Sequence, residues 1–402
     1  MKRRYRVLTA LLLVFIMGSA VSGCGADTET GVPPYQIWEP LEPKDNAANG
    51  DADKNSPGNA DGAQNENAGQ DAAGKGDMGQ PGETVSDGNV TITISAAGDV
   101  TLGNHQNQEY AYSFRQKYDE EGDAYFLENV KDIFEDDDMT VVNFEGTLTY
   151  AEERRETTYN MKGDPSYIQI LNDGSVEAVG FANNHCMDYL QKGHDDTVDC
   201  FKEAGLTYAY DAVTGIYETK GIKIGLIAVN EVEQGAAVEK IIQSDIDSLK
   251  EQDADLIIVC CHWGVESETQ PEDYQMVLGR KCVDWGADLV LGSHPHVLQG
   301  IELYQGKFIV YSLANFCFGG NRNPKDKDTM IFQQQFTFVD GVKQEDIAGR
   351  VIPCSVSSVK GLNDFRPTPA EGDEYTRILQ KIQDYSSPFG TYFDADGWYV
   401  AQ

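Results

Sequence analysis

Apolar positions from residue 90 onward follow two periods, and together they predict a repeating order of strands and helices. Val90–Ala97 alternates β-branched and polar residues, as a strand does, and short apolar runs follow at Thr140–Phe144 and Leu256–Cys261. Helical spacing occurs between such runs, for example in Met187–Ala204 and Pro271–Gly286. Strands that alternate with helices in this way are typical of an α/β fold with a parallel sheet.

The pattern changes towards the C-terminus, where strand-like runs follow one another without an intervening helix. We therefore expect an additional antiparallel part there. One domain of about 300 residues accommodates all of these elements, since α/β folds of this size occur as single units. The further predicted elements are strands at Val176–Ala182, Ile222–Val229, Leu289–Leu291, Phe308–Leu313 and Met330–Val339, and helices at Tyr125–Phe134, Asp164–Leu171, Ala236–Lys250 and Glu374–Gln383.

The N-terminal residues that precede this pattern are typical of an exported protein. A basic start, an apolar run from Val7 to Met17 and small residues after it indicate a secretory signal peptide. The segment ends in Val21-Ser22-Gly23-Cys24, which matches the bacterial lipobox. This predicts a signal peptide over 1–23 and a lipidated Cys24 that anchors the protein to the outer face of the cell membrane. Ordinary cleavage near Ala20, which would leave Cys24 free, is the alternative.

Residues 24–89 are rich in Gly, Ala, Asn, Asp and Pro, and residues 25–88 carry 13 acidic against 3 basic side chains. Such a segment cannot bury enough apolar surface to offset its chain entropy, so we expect a disordered acidic linker. The predicted organisation is completed by a folded domain over 90–340 and a C-terminal extension over 341–402 that packs on it.

The formal net charge of −35 restricts the partners of the chain. It argues against nucleic acid and against direct adhesion to anionic lipid. An anionic ligand would need a local positive centre, and a bound cation is the obvious source. The eight cysteines of an exported protein would ordinarily suggest disulfides. Because the lipobox accounts for Cys24, and four others lie in apolar or helical contexts, we instead expect buried free thiols. Those four are Cys260, Cys261, Cys282 and Cys317.

Metal-competent side chains stand just past the ends of several predicted strands. In Gly292–Gly300, two histidines lie two residues apart around Pro295, directly after an apolar run. If the sheet is parallel there, such side chains converge at its carboxyl edge, where open α/β sheets bind ligands. Four of the six histidines stand at strand ends, and we interpret His105 and His194 as solvated surface residues. The candidate residues are Asp99, Glu145, Asn184, His185, His262, His294 and His296.

Each candidate also has an ordinary structural interpretation, as a turn residue, a helix cap or a core side chain. Their joint placement at strand ends favours a site over six separate coincidences. Carboxylate, amide and imidazole ligands without a thiolate suit Mn, Fe, Zn or Mg. A nucleophilic pair of Cys261 and His262 is disfavoured, because neighbouring strand residues point to opposite faces.

At these residues the sequence resembles the CapA family of capsule-synthesis proteins, also called PgsA-type poly-γ-glutamate proteins, which is similar to the calcineurin-like metallophosphoesterases. The resemblance covers about Thr91 to Phe318. It depends on six ordered motifs, namely Gly-Asp-Val at 98–100, Asn-Phe-Glu at 143–145, Ala-Asn-Asn-His at 182–185 with Asp188, His-Trp-Gly-Val-Glu at 262–266, Gly-Ser-His-Pro-His at 292–296 and Tyr-Ser-Leu-Ala-Asn-Phe at 311–316.

The resemblance implies a four-layer α/β/β/α sandwich with a cleft for two divalent metal ions. It implies that Asp99 and His296 bind the first metal, that Glu145 bridges, and that the second metal is held by Asn184, His262 and His294. It also implies that His185 is a general acid or a donor to a developing oxyanion. Two departures from the superfamily pattern weaken the first site: Thr101 replaces a histidine, and Glu145 replaces the bridging aspartate.

The implied function is synthesis or export of a poly-γ-glutamate capsule by a lipid-anchored protein that works with a membrane-embedded synthase complex. Its ligand would be an anionic polymer or a phosphorylated intermediate. Two alternatives stay open at this point. One is a secreted dinuclear metallophosphoesterase that acts on phosphate esters. The other is a non-catalytic scaffold of the synthase complex whose metal only stabilises loops.

Overall fold

A computed structural model describes residues 88–402 of the chain. The predicted signal peptide, Cys24 and all but the last two residues of the predicted linker lie outside the described residues. Within 88–402, no helix combines the length and the apolar character that crossing a bilayer requires.

Short strands dominate the described part of the chain. The strands are β1 (Asn89–Thr101), β2 (Asn104–His105), β3 (Met139–Phe144), β4 (Thr147–Leu148), β5 (Met161–Gly163), β6 (Ala178–Gly180), β7 (Thr207–Ala209), β8 (Gly215–Thr219), β9 (Ile222–Asn230), β10 (Leu256–His262), β11 (Leu289–Ser293), β12 (Ile301–Tyr304), β13 (Lys307–Val310), β14 (Asn315–Phe318), β15 (Asp328–Val339), β16 (Val342–Lys343), β17 (Ala348–Ser355) and β18 (Thr368–Pro369).

The helices differ widely in length, and the longest are amphipathic. They are α1 (Phe114–Glu121), α2 (Lys131–Glu135), α3 (Gln169–Asp173), α4 (Leu190–Ala204), α5 (Glu231–Gln234), α6 (Val238–Glu251), α7 (Asp273–Trp285) and α8 (Gly372–Ser386). Each of α4, α6 and α7 follows a strand and buries one apolar face, which is the order expected of an α/β fold.

Two large sheets pack face to face. The first has the strand order β18-β17-β15-β1-β3-β6-β7, with β14 paired to β1, and the second has the order β12-β13-β11-β10-β9-β8. The strands β1, β3, β6 and β7 are parallel, as are β9, β10, β11 and β13. Their carboxyl ends therefore lie along one edge of each sheet. The expected antiparallel part is confirmed, because β15 runs antiparallel to both β1 and β17.

The predicted four-layer sandwich is confirmed by three apolar clusters. One fills the space between the sheets and includes Ile94, Ile258 and Phe332. The sheets approach closely at Gly180, where an added β-carbon would lie 3.2 Å from the Cβ atom of Cys260. Each outer sheet face is covered by helices, as with Phe201 of α4 over the first sheet. Helices α6 and α7 cover the second sheet in the same way.

Some local predictions were wrong. The apolar residues of Tyr125–Phe134 were expected to form one helix, but the structure has a 3₁₀ turn at Asp123–Tyr125 and the short α2. The chain turns here because Phe126 stacks on Phe114, with ring centroids 4.2 Å apart, in a buried aromatic cluster. The interpretation of the cysteines holds for the described residues, where all seven are buried free thiols.

Candidate metal centre

The carboxyl ends of β1 and β3 place two carboxylates next to a histidine from the loop after β11. Asp99, Glu145 and His296 offer ligand atoms that all lie within 4.8 Å of one another. All three residues were predicted as metal ligands from their strand-end positions. The convergence follows from the parallel pairing of β1 with β3, because parallel strands end at the same edge.

Glycines allow the backbone to hold this arrangement. A β-carbon at Gly98 would lie 1.8 Å from the carbonyl oxygen of Ala314, so only glycine fits there. The amide of Asp99 then donates to that same carbonyl at 2.9 Å. On β3, the turn after Glu145 uses Gly146 at a φ of 127°, which side chains with a β-carbon rarely adopt.

Asp99 is fully buried and only partly satisfied by hydrogen bonds. Its Oδ1 atom accepts a hydrogen bond of 2.8 Å from the Nδ2 atom of Asn143. Its Oδ2 atom lies 3.1 Å from the Nδ1 atom of His296, without hydrogen-bond geometry. That histidine nitrogen is 2.9 Å from the Oδ1 atom of Asn315. Both carboxylate oxygens of Glu145 are buried without a hydrogen-bond partner among the described residues.

The ends of β10 and β11 contribute a second group beside the first. The Nε2 atom of His262 lies 2.8 Å from the Oδ1 atom of Asn184, and its Nδ1 atom lies 3.1 Å from the Oγ atom of Ser293. The rings of His262 and His294 have centroids 4.8 Å apart. The Nδ1 atom of His294 is buried and has no partner within residues 88–402.

The loop that carries His294 and His296 has an unusual backbone. These residues have φ angles of 97° and 58°, and Pro295 lies between them. Positive φ at a non-glycine residue costs free energy and occurs often at functional sites. Here the conformation directs one imidazole towards each of the two groups.

His185 stands beside the carboxylates and has a fixed orientation. Its Nδ1 atom lies 2.7 Å from the Oδ2 atom of Asp188, and its Nε2 atom lies 3.6 Å from the Oε1 atom of Glu145. Asp188 is buried, and its Oδ2 atom also accepts the amide of Met161 at 2.6 Å. This carboxylate fixes the ring and selects the imidazole tautomer, as in other acid–base sites.

Burial and charge shape the protonation of this group. Burial raises the pKa of Glu145 to about 7 despite the opposing effect of His296. Burial alone would lower the pKa of His296, but Glu145 and Asp99 outweigh it and raise that pKa to about 10. Burial and the neighbouring histidines lower the pKa of His294 to about 4, and that of His262 well below its usual range. His262 and His294 therefore favour the neutral form, which is the form that binds metal. A cation between Asp99 and Glu145 would replace the proton of His296, because an imidazole binds metal only after it has lost its proton.

These residues fit a cation. An unpaired buried carboxylate oxygen costs free energy, and the unpartnered oxygens of Asp99 and Glu145 face the same small volume as His296. Oxygen and imidazole ligands without thiolates match the predicted metals Mn, Fe, Zn or Mg. Asp99, Glu145 and His296 could hold one ion, and Asn184, His262 and His294 a neighbouring one. The hydroxyl of Thr101 is buried and has no hydrogen-bond partner among the described residues.

The centre opens into a cleft of about 850 Å³. Its lining includes the buried Glu145, the more accessible His185 and His296, and the exposed Glu266 from the loop after β10. The outer rim includes Arg322 of the loop after β14. A cleft of this size lies within the range of about 300–1,000 Å³ typical of ligand sites.

Several supporting residues were not assigned a role from the sequence. Asn143, Ser293 and Asn315 orient Asp99, His262 and His296 respectively, and all three lie inside motifs that the family resemblance uses. An asparagine two residues before Glu145 in a buried strand is a signal that sequence inspection could have used. Hydrogen-bonded partners of this kind tune metal ligands.

The two histidines interpreted as solvated need correction. His194 is buried on α4, with its ring centroid 5.1 Å from Phe181 and 4.7 Å from Tyr210. It belongs to the inner, apolar face of that helix, which its polar neighbours in the sequence conceal. His105 is half-buried on β2 and lines the cleft of the metal centre, so it is not an ordinary surface residue either.

Comparison with known proteins identifies a family and several similar sequences. Residues 93–320 match the family described as "Bacterial capsule synthesis protein PGA_cap". The "Capsule biosynthesis protein CapA" of Bacillus anthracis is 27% identical over 61% of this chain and 64% of its own length. The "PGA biosynthesis protein CapA" of Bacillus subtilis (strain 168) is 30% identical over 56% and 63%.

A third similar protein is a "Probable polyglutamine synthesis accessory protein" of Mycobacterium tuberculosis, 23% identical over 56% of this chain and 67% of its own length. The chain spans just under two thirds of the length of the two Bacillus relatives that it matches. Residues 93–320, the segment that matches the family, contain every residue of the candidate metal centre.

Proposed function

Because this chain belongs to the bacterial capsule synthesis protein family PGA_cap, we propose that it takes part in the synthesis or export of a poly-γ-glutamate capsule. The observation that carries the proposal is the pair of buried carboxylates of Asp99 and Glu145 beside His296, inside the segment that matches the family. Three of their four oxygens have no hydrogen-bond donor among the described residues. A fold that needed only stability would not retain two such carboxylates, since each unpaired oxygen is costly.

The ligand residues have separate roles in this proposal. Asp99, Glu145 and His296 hold a divalent ion, and Asn184, His262 and His294 hold a second one. When bound, such ions supply positive charge and polarise an oxygen of the ligand. Asn143 and Asn315 keep the ligands in register through their hydrogen bonds. In a chain with a net charge of −35, this centre attracts an anionic polymer such as a γ-glutamyl chain, or a phosphorylated intermediate.

The proposed location is the extracytoplasmic face of the cell membrane. The lipobox and the acidic segment after it support a lipidated Cys24 and a tether to the domain. A tethered domain would work beside a membrane-embedded synthase complex and meet the polymer where it leaves that complex.

The test is capsule formation by a host strain that lacks the gene and carries variants of it. We expect Asp99→Asn to lose bound metal, measured by elemental analysis of the purified protein, and to abolish polymer production. The exposed Asp396 provides a matched control, because Asp396→Asn makes the same change far from the centre. Normal polymer yield from Asp99→Asn, with metal lost, would contradict the proposal. If His294→Ala left polymer production intact while Cys24→Ala abolished it, the scaffold alternative would be correct.

A second candidate function is hydrolysis of phosphate esters, favoured by the arrangement of His185. Its imidazole is oriented by Asp188 and faces the cleft beside Glu145, as a proton donor to a leaving group would. The test is turnover of bis-(4-nitrophenyl) phosphate with added Mn²⁺. We expect His185→Ala to lose turnover by 10²-fold or more while it retains bound metal. Absence of turnover in the wild-type protein with metal bound would exclude this candidate.

A further inference from the structure

A second groove opens next to the cleft of the metal centre. Its volume is about 510 Å³, and it lies between α1, β5 and the residues after β4. His105 and Gln108 line both the groove and the metal cleft, so the two spaces are neighbours. We call it the tyrosine groove, because its lining includes Tyr110, Tyr118, Tyr150, Tyr167 and Tyr189.

Exposed aromatic rings concentrate here. Tyr150 is 73% exposed and Tyr110 is 52% exposed, and Tyr159, at 54%, lines the adjoining cleft. Only two other aromatic side chains of residues 88–402 are substantially exposed, Tyr112 in the same segment and Tyr274 elsewhere. Clustered exposed aromatic rings mark binding surfaces, because single folded chains otherwise bury them.

Hydrogen bonds hold these rings with their faces open. The hydroxyl of Tyr110 donates to Asp119 at 2.9 Å, and the hydroxyl of Tyr150 donates to Asp164 at 3.1 Å. Both phenol groups are therefore already satisfied. The guanidinium of Arg115 lies over one face of the Tyr110 ring, 5.9 Å from its centroid, so a ligand would stack on the opposite face. Below them, the rings of Tyr118 and Tyr167 pack with centroids 4.3 Å apart and form a firm base.

The amide of Gln108 marks the junction of the two spaces. Its Nε2 and Oε1 atoms are both shielded from solvent and have no hydrogen-bond partner in the part of the chain that the structure describes. A buried polar group without a partner costs about 1–3 kcal/mol. An amide offers one donor and one acceptor side, and a hydroxyl, which both accepts and donates, satisfies both. A carboxylate would satisfy only the donor.

The charges of the groove do not favour a polyanion. The guanidinium of Arg115 lies 4.0 Å from the carboxylate of Asp119. The ammonium of Lys162 donates to the carbonyl of Ala151 at 2.8 Å. Lys162 keeps its charge, since a carbonyl is neutral, but the three carboxylates of the lining outnumber its two cations; they are Asp119, Glu152 and Asp164. A neutral, polar ligand fits this balance better than a chain of carboxylates.

From these observations we infer that the tyrosine groove binds a saccharide chain, whose rings stack on Tyr110 and Tyr150 and whose hydroxyls bond to the amide of Gln108 when that side chain turns into the groove. A pyranose ring presents a face of C–H groups that complements the negative face of an aromatic ring. Its equatorial hydroxyls match the donor and acceptor of the amide. The site is separate from the metal ligands, so saccharide binding does not depend on the proposed capsule function.

The test is isothermal titration of the full-length chain with three soluble hexamers, of β-1,4-linked N-acetylglucosamine, of β-1,4-linked glucose and of γ-linked glutamate. We expect binding of at least one saccharide and weaker or no binding of the γ-glutamyl chain. Preference between the two saccharides distinguishes an amino-sugar glycan of the cell wall from a neutral glucan.

Variants then locate the site. Tyr110→Ala and Tyr150→Ala should each weaken saccharide binding about fivefold to tenfold, which corresponds to the loss of one stacked ring. Tyr150→Phe keeps the ring and should bind like wild type. Tyr112→Ala serves as a control, since Tyr112 is exposed in the same segment but does not line the groove. Asp99→Asn should bind the saccharide normally, which separates this result from any failure of the metal centre.

Three outcomes would overturn the inference. The first is absence of binding to both saccharides. The second is saccharide binding that Tyr110→Ala and Tyr150→Ala leave intact while their melting temperatures are unchanged. The third is tighter binding of the γ-glutamyl hexamer, weakened by the same two variants, which would assign the groove to an acidic polymer.

Discussion

The Nδ2 atom of Asn143 donates a hydrogen bond of 2.8 Å to the Oδ1 atom of Asp99, and it does so between two paired strands of the first sheet. The other oxygen of Asp99 has no hydrogen-bond donor within residues 88–402. Asn143 thereby directs the free oxygen of the carboxylate towards His296 and the cleft. Neither residue contacts solvent appreciably, so this relation is built into the core of the sheet.

Loss of this hydrogen bond should weaken metal binding without removing a ligand. We expect Asn143→Ala to lower the affinity for Mn²⁺ about 10-fold to 100-fold, as is typical when a group that orients a metal ligand is removed. Titration with the metal, followed by calorimetry, measures the change. Asn172→Ala, at an exposed position on α3, should bind like wild type. An unchanged affinity of Asn143→Ala for Mn²⁺ would show that the hydrogen bond from Asn143 is not required to orient the carboxylate of Asp99.

A side chain at Gly98 should disrupt the sheet next to the centre. The β-carbon of Gly98→Ala would clash with the backbone of Ala314, so a strand must move and the free energy of unfolding should fall by about 3 kcal/mol or more. Gly205, the C-cap of α4, is a suitable comparison, because a β-carbon there meets nothing within 4 Å. Gly205→Ala should cost only about 1 kcal/mol, from its positive φ. Urea denaturation measures the free energy of unfolding of both variants. An equal loss in Gly98→Ala and Gly205→Ala would contradict the predicted clash.

The buried His194 should make the fold less stable in mild acid. Burial lowers the pKa of its imidazole, although Asp195 opposes this, so the folded state favours the neutral ring. In the unfolded chain the imidazole takes up a proton near its ordinary pKa of about 6.5. The free energy of unfolding is therefore unaffected by His194 above that pH and decreases as the pH falls below it.

The variant His194→Phe should remove this penalty, since a phenyl ring can pack against Phe181 and Tyr210 without a charge. We expect its melting temperature at pH 5 to exceed that of wild type by about 2 °C, with a smaller difference at pH 8. Thermal melts at both pH values provide the measurement. A difference that did not change with pH would mean that packing alone is responsible.

An ion pair attaches the last long helix to the first sheet. Arg377 of α8 makes two hydrogen bonds of 2.6 Å to the carboxylate of Asp328, which is 6% exposed at the start of β15. Burial alone would raise the pKa of Asp328, but Arg377 and Lys381 outweigh it and lower that pKa. The pair therefore stabilises the fold above the ordinary carboxyl pKa and loses its effect as the pH falls through the lowered value.

Because the side chain of Arg377 is half exposed, Arg377→Ala should cost only about 1 kcal/mol at pH 7. Asp328→Ala should cost more, since it leaves two cations without their shared partner. Denaturation at pH 7 and pH 3 gives the free energy of unfolding of wild type and of both variants. The difference in this free energy between wild type and Asp328→Ala should be smaller at pH 3. The exposed Arg154→Ala, without an ion pair in residues 88–402, is the control.

Helix α8 also shows how the C-terminal residues enter the fold. Ile378 and Ile382 belong to the apolar cluster between the two sheets, and β17 pairs with β15 over eight residues. The sequence predicted the helix from its spacing but not β17. That strand contains Pro353 and Gly349, which weaken a strand signal, and long-range pairing with β15 overrides this preference.

The sequence alone determined the features of this protein that depend on neighbouring residues, namely its secondary-structure elements and the polar residues at their ends. The alternation of β-branched residues and the spacing of apolar helix faces placed the central strands and α4, α6 and α7 within a few residues, because one-sided burial imposes a period on the chain. Strand ends marked by Asp99, Glu145, His262 and the Gly-Ser-His-Pro-His loop were visible for the same reason. The six ordered motifs were sufficient to suggest the family.

Tertiary structure alone decided which of these side chains meet. It grouped Asp99 and Glu145 with His296 and placed His262 beside Asn184, through sheet register and positive φ angles that no local period encodes. It buried His194, and it assembled the tyrosine groove from segments far apart in the chain. The physical reason is that periodicity reports how one segment faces the core, whereas the contacts between segments depend on packing across the whole domain.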